Sequence, residues 1–201
     1  MKTRVVVMAR APVPGQAKTR LAQVIGDDQA ATLAARMLEH TLKTARLAAI
    51  GAIELCVTPD TGHPAVRAVA ERAGAALSDQ GEGDLGERMA QIARRVLAAG
   101  DAPLIVGTDC PSLSAEHLQQ AAQALQHHDA VLQPAFDGGY VLIGLRRFDP
   151  RLFEAVPWST TAVMATTRER LRKLGWPWWE AETLHDIDCA ADLVHLPQDW
   201  R

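Results

Sequence analysis

The chain has 201 residues, 48% of them hydrophobic, and a formal net charge of -3. That length suits one α/β domain burying its own core without metals or disulfides. The weakly negative balance excludes a general pull toward nucleic acid or an anionic membrane, so any anion site must be local.

The first apolar run, Val5 to Met8, reads as a buried strand over residues 4–9. It is too short for a secretory core or a membrane span. Cys56, Cys110 and Cys189 are odd in number and fit neither a disulfide framework nor a CxxC metal pattern. A cytoplasmic protein is therefore expected. The strand runs into MARAPVPGQAKTRL, a loop carrying Arg10, Lys18 and Arg20. Cations at the C-terminal edge of a strand are what phosphates need, because open α/β sheets bind ligands in that crevice. Gly15 lets the backbone come close to a ligand, while Pro12 and Pro14 stiffen the approach. This is not a Walker loop, since Ala17 precedes Lys18-Thr19, and no GxGxxG follows the strand.

Further strands are expected near residues 52–58, 103–107, 130–134 and 140–145, alternating with helices near 28–48, 64–73, 85–98, 115–126 and 160–174. The alternation argues for a layered α/β sheet with helices on its faces. Gly26, Asp27 and Asp28 read as the cap and acidic first turn of the first long helix, and Ser114 opens the fourth. No repeat or linker interrupts residues 1–201. The stretch after Ala135 reads as elaboration on the acceptor side and not as a second domain.

Leu104 to Val106 lead directly into GTDCPSL, which brings Asp109 to the same crevice as the cationic loop. A carboxylate there would repel phosphate, whereas one holding Mg²⁺ or Mn²⁺ would bridge to it. The alternative is that Asp109 caps the following turn. One carboxylate is an incomplete site, and the candidates for a second are Asp137, Asp186 and Asp188. Asp186 and Asp188 share a face if their segment is extended. Asp188 equally reads as the N-cap of a helix over residues 189–196.

Asp137-Gly138-Gly139-Tyr140 is a turn whose glycines would leave space against a ligand, or else a plain hairpin turn. Tyr140, the only tyrosine, would stack its ring on a sugar or base while its hydroxyl bonds to it. Trp158 and Ser159 would lie nearby, Ser159 being equally a helix cap. Trp176, Trp178 and Trp179 are expected in the core or at a subunit contact, a homodimer being what that contact would serve. The scattered histidines lack ligand spacing.

MARAPVPGQAKTRL, GTDCPSL, PAFDGGYVLIGL, VPWST and DIDCAADL, in that order, resemble a bacterial family of GT-A-fold proteins usually labelled glycosyltransferases, some associated with arsenosugar biosynthesis. The resemblance spans nearly the whole chain. More distantly the chain looks like the guanylyltransferases of molybdenum cofactor and phospholactate. The resemblance implies a three-layer α/β/α nucleotide-diphospho-sugar transferase (GT-A, Rossmann-like) fold with a mainly parallel mixed sheet. It also implies a nucleotide-binding half over residues 1–113 and an acceptor-side half over 114–201. Carried over, it makes Ala9, Arg10, Gly15, Lys18 and Arg20 the nucleotide loop and Asp109 the metal ligand; of the candidates for a second ligand, Asp188 is the one expected. Asp137, Gly138, Gly139, Tyr140, Trp158 and Ser159 would border the sugar or acceptor. The chain departs from the glycosyltransferase pattern in having one aspartate where DxD has two. The expected reaction is metal-assisted transfer from a nucleoside-diphosphate sugar to a small acceptor, with Asp137 as base. The alternatives are nucleotidyl transfer from an NTP with release of pyrophosphate, and a non-catalytic nucleotide-binding protein.

Overall fold

Val5, Val6 and Val7 are all fully buried, so the first strand needs cover on both faces at once. The computed structural model, which describes residues 1–200, supplies it with a seven-stranded sheet between two layers of helices. The strands are β1 (Lys2–Arg10), β2 (Gly51–Thr58), β3 (Ala76–Asp79), β4 (Asp101–Val106), β5 (Ala130–Pro134), β6 (Tyr140–Leu145) and β7 (Trp178–Glu180). Their spatial order is β3-β2-β1-β4-β6-β5-β7. Only β6 runs antiparallel to its neighbours. This is the expected mainly parallel mixed sheet.

The helices are α1 (Thr19–Ile25), α2 (Asp27–Ala48), α3 (Pro64–Ala73), α4 (Leu85–Ala98), α5 (Ala115–Ala124) and α6 (Val163–Leu174). On one face Val5, Val7, Leu104 and Val106 pack against α2, α3 and α5 through Leu38, Leu42, Val66 and Leu118. On the other, Val6, Ile105 and Ile143 meet Met89, Ile92 and Val96 of α4 and Leu171 of α6. Local chemistry sets the helix starts. Asp84 and Glu87 close a reciprocal capping box on α4, each carboxylate accepting the other residue's backbone N–H at 2.8 Å. Gly26 precedes α2, whose first turn carries Asp27 and Asp28 as expected. Among the described residues no helix is long and apolar enough to cross a membrane.

Several expectations need correction. The edge strands β3 and β7 and the short α1 were not foreseen. α6 begins at Val163 with Ala162 as its N-cap, so Ser159 caps nothing. Residues 190–195 form a 3₁₀ helix whose N-cap is Cys189, so Asp188 is not the cap either. Trp176 is buried in the core, while Trp178 and Trp179 pack toward opposite faces of the sheet. 

The sheet order places the site. From β1 the chain moves outward through β2 and β3, then returns to add β4 on the other side of β1. The loops leaving β1 and β4 therefore part at a topological switch point, where open α/β sheets form a crevice. Val7 pairs with Val106, so Arg10 and Asp109, each three residues further on, leave the sheet at the same height.

Candidate active site

At that switch point lies a cavity of about 560 Å³. Ala9, Arg10, Lys18, Arg20, Asp109, Asp137, Gly139, Tyr140, Trp158, Ser159 and Asp188 all line it. Gly15 and Gly138 do not. Gly15 turns on the exposed side of its loop, with φ +75°. Gly138 has φ +90°, and a Cβ there would come within 2.5 Å of the Thr161 backbone. Its space is filled by the approach to α6, not left open toward a ligand.

The loop after β1 is folded by its own backbone: Gln16 and Ala17 donate to the Val13 carbonyl, and Arg10 donates to the Gln16 carbonyl at 3.2 Å. It ends at Lys18, whose backbone is left-handed (φ 49°, ψ 45°), a costly conformation for a residue with a Cβ. That turn sends the side chain inward, where it is only 8% exposed. Its ammonium meets Asp109 Oδ1 at 2.6 Å, Asp188 Oδ1 at 3.0 Å and the Ile187 carbonyl at 2.6 Å. Burial by itself would lower the Lys18 pKa, but the two carboxylates outweigh it and hold the pKa above its ordinary value. Asp109 is therefore committed to an ion pair and not to capping its own turn.

Of the three candidates Asp137, Asp186 and Asp188, it is Asp188 that shares the Lys18 ammonium with Asp109. Asp188 arrives from the far end of the chain because Ile187 N–H donates to the Asp109 carbonyl at 2.7 Å. It is steadied by Asp192, whose Oδ2 accepts from the backbone N–H groups of Asp188 and Cys189 at 2.9 and 2.7 Å. Both carboxylates remain a little under half exposed. Two hard oxygen ligands converging on one cation suit Mg²⁺ or Mn²⁺, which takes one or two carboxylates and completes its shell with water and phosphate oxygens. Among the described residues no group of three or more His, Cys, Asp or Glu is gathered for a metal.

Across the cavity, Asp137 accepts the Gly139 N–H at 2.7 Å, which makes the expected turn. Asp186 has its pKa pushed up to about 6, first by burial and then by the Asp137 charge. Tyr140 meets Trp158 edge to face at a ring separation of 6.3 Å. Its hydroxyl lies 3.8 Å from Met89 Sδ and burial pushes its pKa up, so the phenol stays protonated.

Sequence reading missed three contributors. Gln80 braces the floor by donating to the carbonyls of Ala9 and Cys56 at 2.9 and 3.0 Å. Arg88 lines the cavity beside it. Asp192 was recoverable, since Cys189-x-x-Asp192 has capping-box spacing. Gln80 and Arg88 sit in an ordinary polar stretch and carried no signal.

No curated protein matches this chain. A protein from Desulfovibrio desulfuricans G20, described provisionally as a nucleotide-diphospho-sugar transferase, is 31% identical, with a TM-score of 0.89 over 99% of this chain and 88% of its own. CMP:2-keto-3-deoxy-manno-octonic acid synthetase complexed with CTP shares the fold at 13% identity and a TM-score of 0.60, covering 97% of this chain and 96% of its own. Glucosyl-3-phosphoglycerate synthase from Mycobacterium tuberculosis, with Mn²⁺, UDP and glucosyl-3-phosphoglycerate, does so at 11% and 0.57, covering 96% and 75%. At these identities the two likenesses show the fold, which a CTP complex and a UDP complex share. The family model for DUF2064, uncharacterized proteins conserved in bacteria, matches residues 41–160, and the chain belongs to that family.

Proposed function

We propose that the protein is a metal-dependent transferase that takes a sugar from a nucleoside-diphosphate sugar to a small acceptor. The observation that carries this reading is the convergence of Lys18, Asp109 and Asp188 at the switch-point crevice, on the wall of the cavity. The 31% identical relative supports the donor class. Residues 1–113 would hold the nucleotide and 114–201 the acceptor, with Asp188 reaching back across the division.

Arg10 and Arg20 line the entrance and would donate to the phosphates, while Gln80 keeps the Ala9 backbone in place beneath them. Asp109 and Asp188 would hold Mg²⁺ or Mn²⁺, which when bound supplies electrostatic stabilisation to a departing diphosphate. Asp137 would orient the acceptor hydroxyl and take its proton. Tyr140 and Trp158, in edge-to-face contact, line one side of the cavity and would keep water from the reacting atoms. Asp109→Asn and Asp188→Asn should each lower turnover about 10²-fold or more, the scale of losing an electrostatic stabiliser.

Nucleotidyl transfer is the second reading. It is favoured by one observation: Asp109 stands alone in its loop, and its carboxylate partner comes from a distant segment instead of a DxD pair. Product analysis separates the two: release of a nucleoside diphosphate supports glycosyl transfer, and release of pyrophosphate overturns it. Binding of nucleotide sugars with no turnover of any acceptor, water included, would overturn both.

A further inference from the structure

An ammonium has three N–H donors. Those of Lys18 face three acceptors, Asp109, Asp188 and the Ile187 carbonyl, all within 3.0 Å. In this arrangement Lys18 has no donor left for a phosphate, although it lines the cavity. The two carboxylates, for their part, already have their cation. They nonetheless line the cavity and are 47% and 43% exposed, while the Lys18 side chain is 8% exposed. Lys18 and a divalent ion entering the cavity would therefore seek the same pair of oxygens.

We propose that Lys18 is a placeholder cation. It occupies the Asp109–Asp188 pair in the absence of substrate and yields it to the divalent ion only when diphosphate oxygens offer its ammonium new acceptors. Metal and nucleotide would then bind interdependently, each reinforcing the other by the same factor. The exchange also reaches the C-terminal segment, since the ammonium holds both Ile187 and Asp188. This inference rests on the metal reading proposed above.

Binding of Mn²⁺, followed by loss of the free-ion electron paramagnetic resonance signal, tests it without any turnover. Lys18→Met should bind Mn²⁺ about tenfold more tightly than the parent protein without nucleotide, within the range of ordinary coupling energies. Asp109→Asn added to Lys18→Met should abolish that binding. Lys18→Gln retains a donor for the Ile187 carbonyl, and it should show the same gain if the methionine variant folds poorly. UDP, as a diphosphate probe, should tighten Mn²⁺ more on the parent than on either variant. Equal Mn²⁺ affinities for parent and variants, all abolished by Asp109→Asn, would overturn the placeholder and leave the metal reading standing. Equal gains from UDP on all three would overturn the exchange. No Mn²⁺ binding in any protein, with or without UDP, would bring down the metal reading and this inference together.

Discussion

Glu54 shows how single residues carry both stability and its pH dependence. It is 3% exposed in the middle of β2 and is held by Arg95 from α4, by the Ser78 hydroxyl at 2.5 Å and by Arg4. Burial alone would raise its pKa, but Arg95 and Ser78 outweigh this and hold it below the usual carboxylate range. A carboxyl depressed in the folded state contributes stability above its unfolded pKa of about 4.3 and loses it as pH falls through that region. Glu54→Gln should cost about 2 kcal/mol at pH 7, by leaving buried donors unsatisfied. Urea melts should show that difference shrinking toward pH 3.5. Asp192 works differently, through the backbone it orders. If Asp188 is a metal ligand, Asp192→Ala should weaken Mn²⁺ binding about tenfold and Asp192→Asn, which keeps an acceptor, far less.

At the scale of elements, α4 links sequence to site most directly. Its capping box starts the helix at Leu85, and the following turns place Arg88 and Met89 on the cavity wall. Asp84→Ala should cost about 1 kcal/mol of stability, read by thermal or chemical unfolding. Gly86 sits in the first turn, where a Cβ would lie 2.5 Å from Trp158 Nε1 and 2.7 Å from the Phe153 carbonyl. Gly86→Ala should therefore push Trp158 off the Tyr140 edge at a cost of about 1–3 kcal/mol, typical of overpacking. A change in tryptophan fluorescence would report it. α4 was legible because its apolar positions recur at helical spacing behind an Asp-x-x-Glu cap. β3 and β7 were not, because four mostly exposed residues and three half-buried ones carry no alternation to read. They exist because the neighbouring strands β2 and β5 offer unpaired edges.

On the scale of the whole molecule, the C-terminal segment closes the structure. Ile187 is fully buried, and with Leu196 it packs against Leu21 of α1 and Met37 of α2. Arg36 stacks over Trp200 at 4.6 Å, and His185 lies between the rings of Phe136 and His195. The segment thereby fastens the cationic loop and α1 to the helix layer while delivering Asp188. Ile187→Ala should cost about 2–5 kcal/mol as a buried cavity. Amide exchange should rise in residues 187–196 and in α1 before it rises in the central strands.

Much of the fold was legible in local patterns. The run Val5 to Val7 demanded a strand covered on both faces, the helices followed their apolar period, and Arg10, Lys18 and Asp109 stood just beyond strands. Each of these is a property of neighbouring residues, and the geometry of a single element relates them. The resemblance carried across the whole chain added the sheet type. Only the tertiary structure decided that Asp188, and not Asp137 or Asp186, joins Asp109, that Lys18 spends its donors on both, and that Thr161 fills the space beside Gly138. These depend on strand order and on how a distant segment docks. No spacing along the chain encodes them, because the partners meet only after the sheet has brought remote loops to one edge.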